Sequence, residues 1–211
     1  MRRGFELGGI VAAVVLIGFG VAALIMGVSG NSTVHDSIKQ EKIVGSPDMT
    51  PSAISAEVKK AGLTGIDTPS CTIAGKSVKN GDTARCFAEY MRIHALLATG
   101  GKTYAEMPRF ATADGKGTND EAAALKGESG QPQDNPARQV WINETALSTA
   151  LNASYMADKI SLFGIVVGIA LLLSGLGFAI LALGGALRNA ANPREFLHKP
   201  ARDTPPVVTT A

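Results

Sequence analysis

Apolar positions in this chain are gathered into two long blocks and several short periodic runs. The first block, Leu7 to Val28 (LGGIVAAVVLIGFGVAALIMGV), is 22 residues of almost wholly apolar side chains and glycine, inside an uncharged stretch bounded by Glu6 and Asp36. The second, Ser161 to Leu187, is uncharged between Lys159 and Arg188. Charge is missing from every face of both blocks, so neither has the polar side that a soluble amphipathic helix turns to water. A bilayer core about 30 Å thick is crossed by roughly 20 residues of helix. The pattern therefore predicts transmembrane helices over 7–28 and 161–187, arranged as a hairpin. A basic start (Met1-Arg2-Arg3) and the small residues at Val28-Ser29-Gly30 also suit a cleaved signal peptide. The apolar region exceeds the roughly 7–15 residues usual there, which favours a retained anchor. Either way the segment that follows is exported.

Between the blocks the pattern turns to short helices separated by breakers. Val34, Ile38 and Ile43 keep helical spacing, so the first helix is expected to run past the bilayer until Gly45 and Pro47. Thr50-Pro51 reads as an N-cap followed by proline at the first helical position, with Gly62 just past the end, giving a helix over 51–61. The string CTIAGKSV from Cys71 has strand character, and Asn80-Gly81 signals a turn. Asp82 is expected to cap the next helix, whose apolar positions Cys86, Phe87, Tyr90, Ile93 and Leu97 share one face, and Gly100 to stop it.

Beyond Phe110, ATADGKGTND and GESGQPQDN are turn-rich and flank a helix-like EAAALK that Thr118 and Glu121 would cap, so 111–134 is expected to be a mobile surface excursion. Asn135-Pro136 restarts order, with Val140, Leu147, Leu151 and Tyr155 on one stripe of a long helix continuing into the second span. The fold class expected is an all-α membrane protein: a two-helix transmembrane hairpin with long extramembrane extensions and a small, mostly helical head.

Charge orients the hairpin. Residues 1–6 and 188–211 carry six Lys and Arg against three acids, whereas 29–160 carries 14 basic and 15 acidic residues. The positive-inside rule then puts both termini in the cytoplasm and 29–160 outside. The tail, 188–211, bears prolines and is expected to be disordered. A balanced exported segment has no basic patch for nucleic acid. Its two cysteines, Cys71 and Cys86, lie where an oxidising compartment favours a disulfide, two separate buried thiols being the alternative.

Within the spans, small residues recur at helical intervals: Gly9, Ala13, Gly20, Ala23 and Gly27 in the first, Gly164, Gly168, Gly175, Ala179 and Ala182 in the second. Close backbone approach along such stripes is the usual route to helix association in lipid, so these residues are candidates for packing the pair together or against another subunit. Neither span contains an ionisable side chain of the kind that lines an ion path.

Chemical motifs are few. The stretch LLATGGKTYAEM ends like a phosphate-binding loop, but G-x-x-x-x-G-K-[ST] requires glycine where Leu96 stands. It reads instead as a helix stop at Gly100 followed by a capping box, Thr103 to Glu106. No nucleotide is expected. After Asp114, Lys116 and Thr118 occupy positions where a calcium loop has carboxylates. His35, His94 and His198 are scattered, no serine sits in a G-x-S-x-G elbow, and no catalytic residue, cofactor or metal ligand is assigned. The N-x-[ST] triplets at Asn31, Asn143 and Asn152 would be glycan acceptors only in a secretory pathway that uses them.

The strings GSPDMTP, CFAEYMRIHALLATGGKTYAEMPRFATADGKGTNDEA and NPARQVWINETALSTALN, followed by SLFGIVVGIALLL, resemble a group of two-span actinobacterial envelope proteins over roughly residues 1–190. That resemblance implies a bacterial plasma membrane and an extracytoplasmic domain, and no activity. The function expected is that of a structural or interaction protein of the envelope, not an enzyme. Its partners would be the bilayer and either a protein subunit or a second copy, and Tyr90, Arg92, His94, Lys102 and Tyr104 would form the contact surface. The alternatives are an extracytoplasmic sensor or small-ligand binder and, third, an enzyme whose site the sequence does not show.

Overall fold

The computed structural model describes residues 2–184. It holds four α-helices, α1 (Arg2–Gln40), α2 (Pro51–Lys60), α3 (Gly81–Ala98) and α4 (Pro136–Leu183), and a short 3₁₀ turn, Tyr104–Glu106. Among the described residues there is no strand, only isolated bridges. The expected tail over 188–211 and the last residues of the second span lie outside the described residues. By its contacts the chain divides into two compact units: α1 through Met26 with α4 from Gly164 onward, and Gly27–Phe163.

In the first unit, α1 and α4 are long and apolar enough to cross a membrane, and only 17% of the most apolar window of each is buried. A core helix of a soluble protein would bury most of that surface. What is buried is mainly the smallest residues: Gly9, Ala13 and Gly20 on α1, Gly168, Gly175 and Ala182 on α4. Ala23, Gly164 and Ala179 are half-buried beside them. A Cβ on Gly20 would stand 3.0 Å from the Gly168 carbonyl oxygen, one on Gly168 would stand 2.9 Å from that of Gly20, and one on Gly175 3.0 Å from the Ile17 nitrogen. The order of these contacts, 20 against 168 and 17 against 175, is that of antiparallel helices. Absent side chains are what allow the backbones so close.

In the second unit, local capping explains where each helix begins. Thr50 Oγ1 accepts from the Ala53 N–H (3.2 Å), and Pro51 opens α2. The cap of α3 is Asn80, not Asp82 as expected: Asn80 Oδ1 accepts from the Thr83 N–H (2.9 Å), and Thr83 Oγ1 accepts from the Asn80 N–H (3.0 Å). This capping box leaves Asp82 free in the first turn, where its carboxylate meets Lys159 at 2.8 Å. α3 ends at a pair of left-handed glycines, Gly100 (φ 62°) and Gly101 (φ 81°). The Gly101 N–H donates to Leu96 O at 2.7 Å, as in a Schellman stop.

The principal core draws on all four helices: Ile38 of α1, Ile54 and Val58 of α2, Phe87, Tyr90 and Ile93 of α3 and Leu151 of α4, with Ile73 and Val78 from the connection between α2 and α3. That connection does not form the strand expected at CTIAGKSV. It pairs with the segment after α1 through single bonds, Gly45 N–H to Lys76 O (3.0 Å) and Val78 N–H to Ile43 O (2.9 Å). Glycine is required at 45, because a Cβ there would lie 2.2 Å from Ile73 O.

The helix expected at EAAALK is also absent. Asp120 Oδ1 accepts from the Ala122 N–H (2.9 Å), and a side chain that bonds the backbone two residues on favours a turn over a helix. Leu125 and Ala111 then pair with Gln133 through backbone bonds of 2.8 and 2.9 Å. Most of 111–134 is exposed, as expected of a surface excursion, with Ala124 buried and backbone hydrogen bonds linking Ala111, Leu125 and Gln133.

Candidate functional site

The surface expected to make contacts lies along α3 and the turn after it, and the structure divides its five residues. Arg92, Lys102 and Tyr104 are exposed. Tyr90 is not part of any surface: it is fully buried, and its hydroxyl donates to the Cys71 carbonyl at 2.6 Å. Burial pushes its phenol pKa up, with a smaller contribution from the neighbouring Glu89 charge. Tyr90 falls on the same apolar stripe as Phe87 and Ile93, which turns it inward. His94 is half-buried, with Nε2 2.8 Å from Asp48 Oδ2.

The Cys71–Cys86 disulfide is formed, joining α3 to the α2–α3 connection next to the Tyr90 hydrogen bond. Residues 65–70 of that connection and the Glu89, Arg92, Ile93 and Leu96 side of α3 enclose a cleft of about 560 Å³. Arg92 stands at its edge with its guanidinium 5.4 Å from the centre of the Trp141 ring.

A second cleft, about 430 Å³, lies at the N-terminus of α4 between Tyr104, Arg109, Asp134 and Arg138. Arg138 lies over the Tyr104 ring at 4.0 Å and Arg109 over the Phe110 ring at 4.9 Å. Neither guanidinium has an acidic partner among the described residues, and Arg138 Nε is buried with no hydrogen bond. Sequence reasoning missed both arginines. Their linear signal was weak: Arg109 adjoins Phe110, the ring it lies over, whereas the Tyr104 ring beneath Arg138 is distant in sequence.

Two polar clusters join elements. Asp158 of α4, buried, accepts from Asn31 Nδ2 (2.9 Å) and meets His35 Nε2 (2.8 Å), both on α1. Gly81 packs onto it so closely that a Cβ would lie 2.7 Å from the Asp158 Cβ. The other cluster is Asp48, Glu57 and His94, whose nearest donor atoms lie within 4.8 Å of one another. The Asp48 carboxyl is held below its usual range, foremost by the Ser46 hydroxyl, which donates to Oδ1, with burial opposing and His94 assisting. His35 and His94 belong to separate clusters and share no site.

No protein-family model, no curated protein and no solved structure matches this chain, so its own geometry carries the functional reading.

Proposed function

We propose that this protein is a membrane-anchored interaction protein of the bacterial cell envelope. In this reading α1 and α4 form a transmembrane hairpin, both termini are cytoplasmic, and 29–160 is a disulfide-stapled extracytoplasmic head. The protein acts as an accessory subunit or by self-association. The observation that carries the reading is the Cys71–Cys86 bond in a segment bracketed by two helices long and apolar enough to span a membrane. Disulfides persist on the oxidising side, and the excess of basic residues at the chain ends points those ends the other way. Arg92 and Tyr104 are exposed residues of the types that interfaces favour, and Lys102 is exposed in the turn between them.

An epitope inserted at the exposed Gly130 turn tests the topology, and mass measurement in mild detergent tests association. Antibody should reach the epitope on intact spheroplasts, and the complex should be larger than one chain and dissociate in an Arg92→Ala/Lys102→Ala/Tyr104→Ala variant. An epitope reached only after lysis would reverse the topology. A wild-type monomer without partners would end the interaction reading.

One observation favours a second reading, a sensor or small-ligand binder. The cleft at the start of α4 offers two ring-stacked arginines without acidic partners among the described residues, which suits a carboxylate- or phosphate-bearing molecule. Melting of a monomer that rises with such ligands, and no longer does so in Arg138→Gln, would favour it over the first.

A further inference from the structure

Asp48 in the turn before α2, Glu57 on α2 and His94 on α3 come from three separate segments, yet a donor atom of each lies within 4.8 Å of the other two. We infer that these three side chains form a binding site for a divalent transition-metal ion of the zinc type.

Two carboxylates held this close repel each other, and a cation between them relieves that repulsion. Asp48 has partners: Oδ1 accepts from Ser46 and Oδ2 meets His94 Nε2 at 2.8 Å. The Glu57 carboxylate, which is open to solvent, makes no hydrogen bond or ion pair among the described residues, although it stands beside both. A zinc ion bonded at roughly 2.0–2.2 Å to imidazole nitrogen and carboxylate oxygen holds adjacent donors about 3–3.5 Å apart. His94 Nε2 and Asp48 Oδ2, now 2.8 Å apart, would have to part by less than about 1 Å to reach that spacing, and the Glu57 donor already lies within 4.8 Å of both.

The donor set narrows the ion. An imidazole nitrogen with two carboxylates suits zinc and its first-row neighbours, whereas magnesium and calcium favour oxygen alone. Thiolate chemistry is excluded, since both cysteines are spent in the disulfide.

The scaffold is firm. Glu57 precedes buried Val58, His94 follows buried Ile93, and Met49, next to Asp48, is buried in the same core. The Ser46 hydroxyl orients Asp48 from behind, as outer-shell partners of metal ligands do. The side chains of Asp48 and His94 are about a third exposed (32% and 30%), so an ion and its waters have a path in. Bound there, the ion would tie α2, α3 and the 46–50 turn together from outside the core.

Full-length, tag-free protein in mild detergent, stripped with chelator, would be titrated with zinc chloride by calorimetry and by thermal melting. One ion per chain and a melting temperature raised by several degrees are expected. Glu57→Gln, which breaks no side-chain hydrogen bond or ion pair among the described residues, and His94→Gln should each weaken binding at least tenfold. Ser46→Ala should weaken it about tenfold while all three donors remain, in the range typical of outer-shell partners. Intact helix content and an intact disulfide would show that each variant folds. No binding by wild-type protein would overturn the proposal. So would zinc binding unchanged in Glu57→Gln, or magnesium bound as tightly as zinc and indifferent to His94→Gln.

Discussion

The indole Nε1 of Trp141, on α4, donates to the backbone carbonyl of Lys102 at 2.9 Å, fastening the Gly-Gly-Lys-Thr turn that follows α3 to a helix 39 residues further on. The ring itself is buried with Ala95, Leu96 and Met107. Trp141→Phe should keep most of the packing and lose the hydrogen bond, costing about 1 kcal/mol, whereas Trp141→Ala should cost about 3–5 kcal/mol. Because this is the only tryptophan, circular dichroism rather than fluorescence would follow denaturation. Equal losses in the two variants would show that the ring's packing contributes nothing beyond the hydrogen bond.

Glu106 closes the same turn. Its carboxylate accepts from the Thr103 N–H and hydroxyl, both at 2.7 Å, and these bonds hold its pKa below the ordinary 4.5, the backbone bond foremost. A carboxyl whose pKa is depressed on folding contributes stability that is complete above the unfolded value and lost as pH falls through the folded one. Protection of the Thr103 amide from exchange should therefore be flat above about pH 5, by the ordinary glutamate value, and decline below it. Glu106→Gln should remove that pH dependence. A wild-type profile that declined instead toward neutral pH would contradict the assignment.

The glycines of the two apolar helices are not equivalent. A Cβ at Gly168 would stand 2.9 Å from backbone atoms of α1, while one at Gly18 meets nothing within 4 Å. Gly168→Leu should force the pair apart at a cost of about 1–3 kcal/mol, and Gly18→Leu should change stability by less than about 0.5 kcal/mol. Melting in one detergent compares them. Equal sensitivity at both positions would mean that the helices do not pack through this face.

Cys71 and Cys86 close a span of 15 residues, for which loss of the crosslink should cost about 3 kcal/mol. Cys86→Ser melts should fall accordingly, and reducing agent should lower the wild-type melting temperature to nearly the same value. Tyr90 anchors the same loop through the Cys71 carbonyl, so Tyr90→Phe combined with Cys86→Ser should be non-additive. Strict additivity would show that the two fastenings act independently.

The sequence by itself determined the four helices, because the features that start and stop them are local. Thr50-Pro51, Asn135-Pro136, Gly62 and Gly100 act within one turn of chain, and lengths of uncharged residues identify the two apolar helices without reference to any partner. Even here the cap moved from Asp82 to Asn80, since both are good caps and only Thr83, three residues on from Asn80, completes the reciprocal pair. Tertiary structure alone decided which polar and aromatic groups meet. Helical periodicity places Tyr90 on the buried stripe but does not reveal the Cys71 carbonyl that receives its hydroxyl, and it leaves His94 at the edge with no hint of Asp48, 46 residues away. The failed helix at EAAALK has the same cause. Six residues are too few to hold a helix on propensity, so turn bonds from Asp120 and the pairing of Leu125 with Gln133 prevail. Local backbone rules reach about one turn along the chain, whereas the Asp48–Glu57–His94 and Asp158–Asn31–His35 clusters are assembled across longer distances.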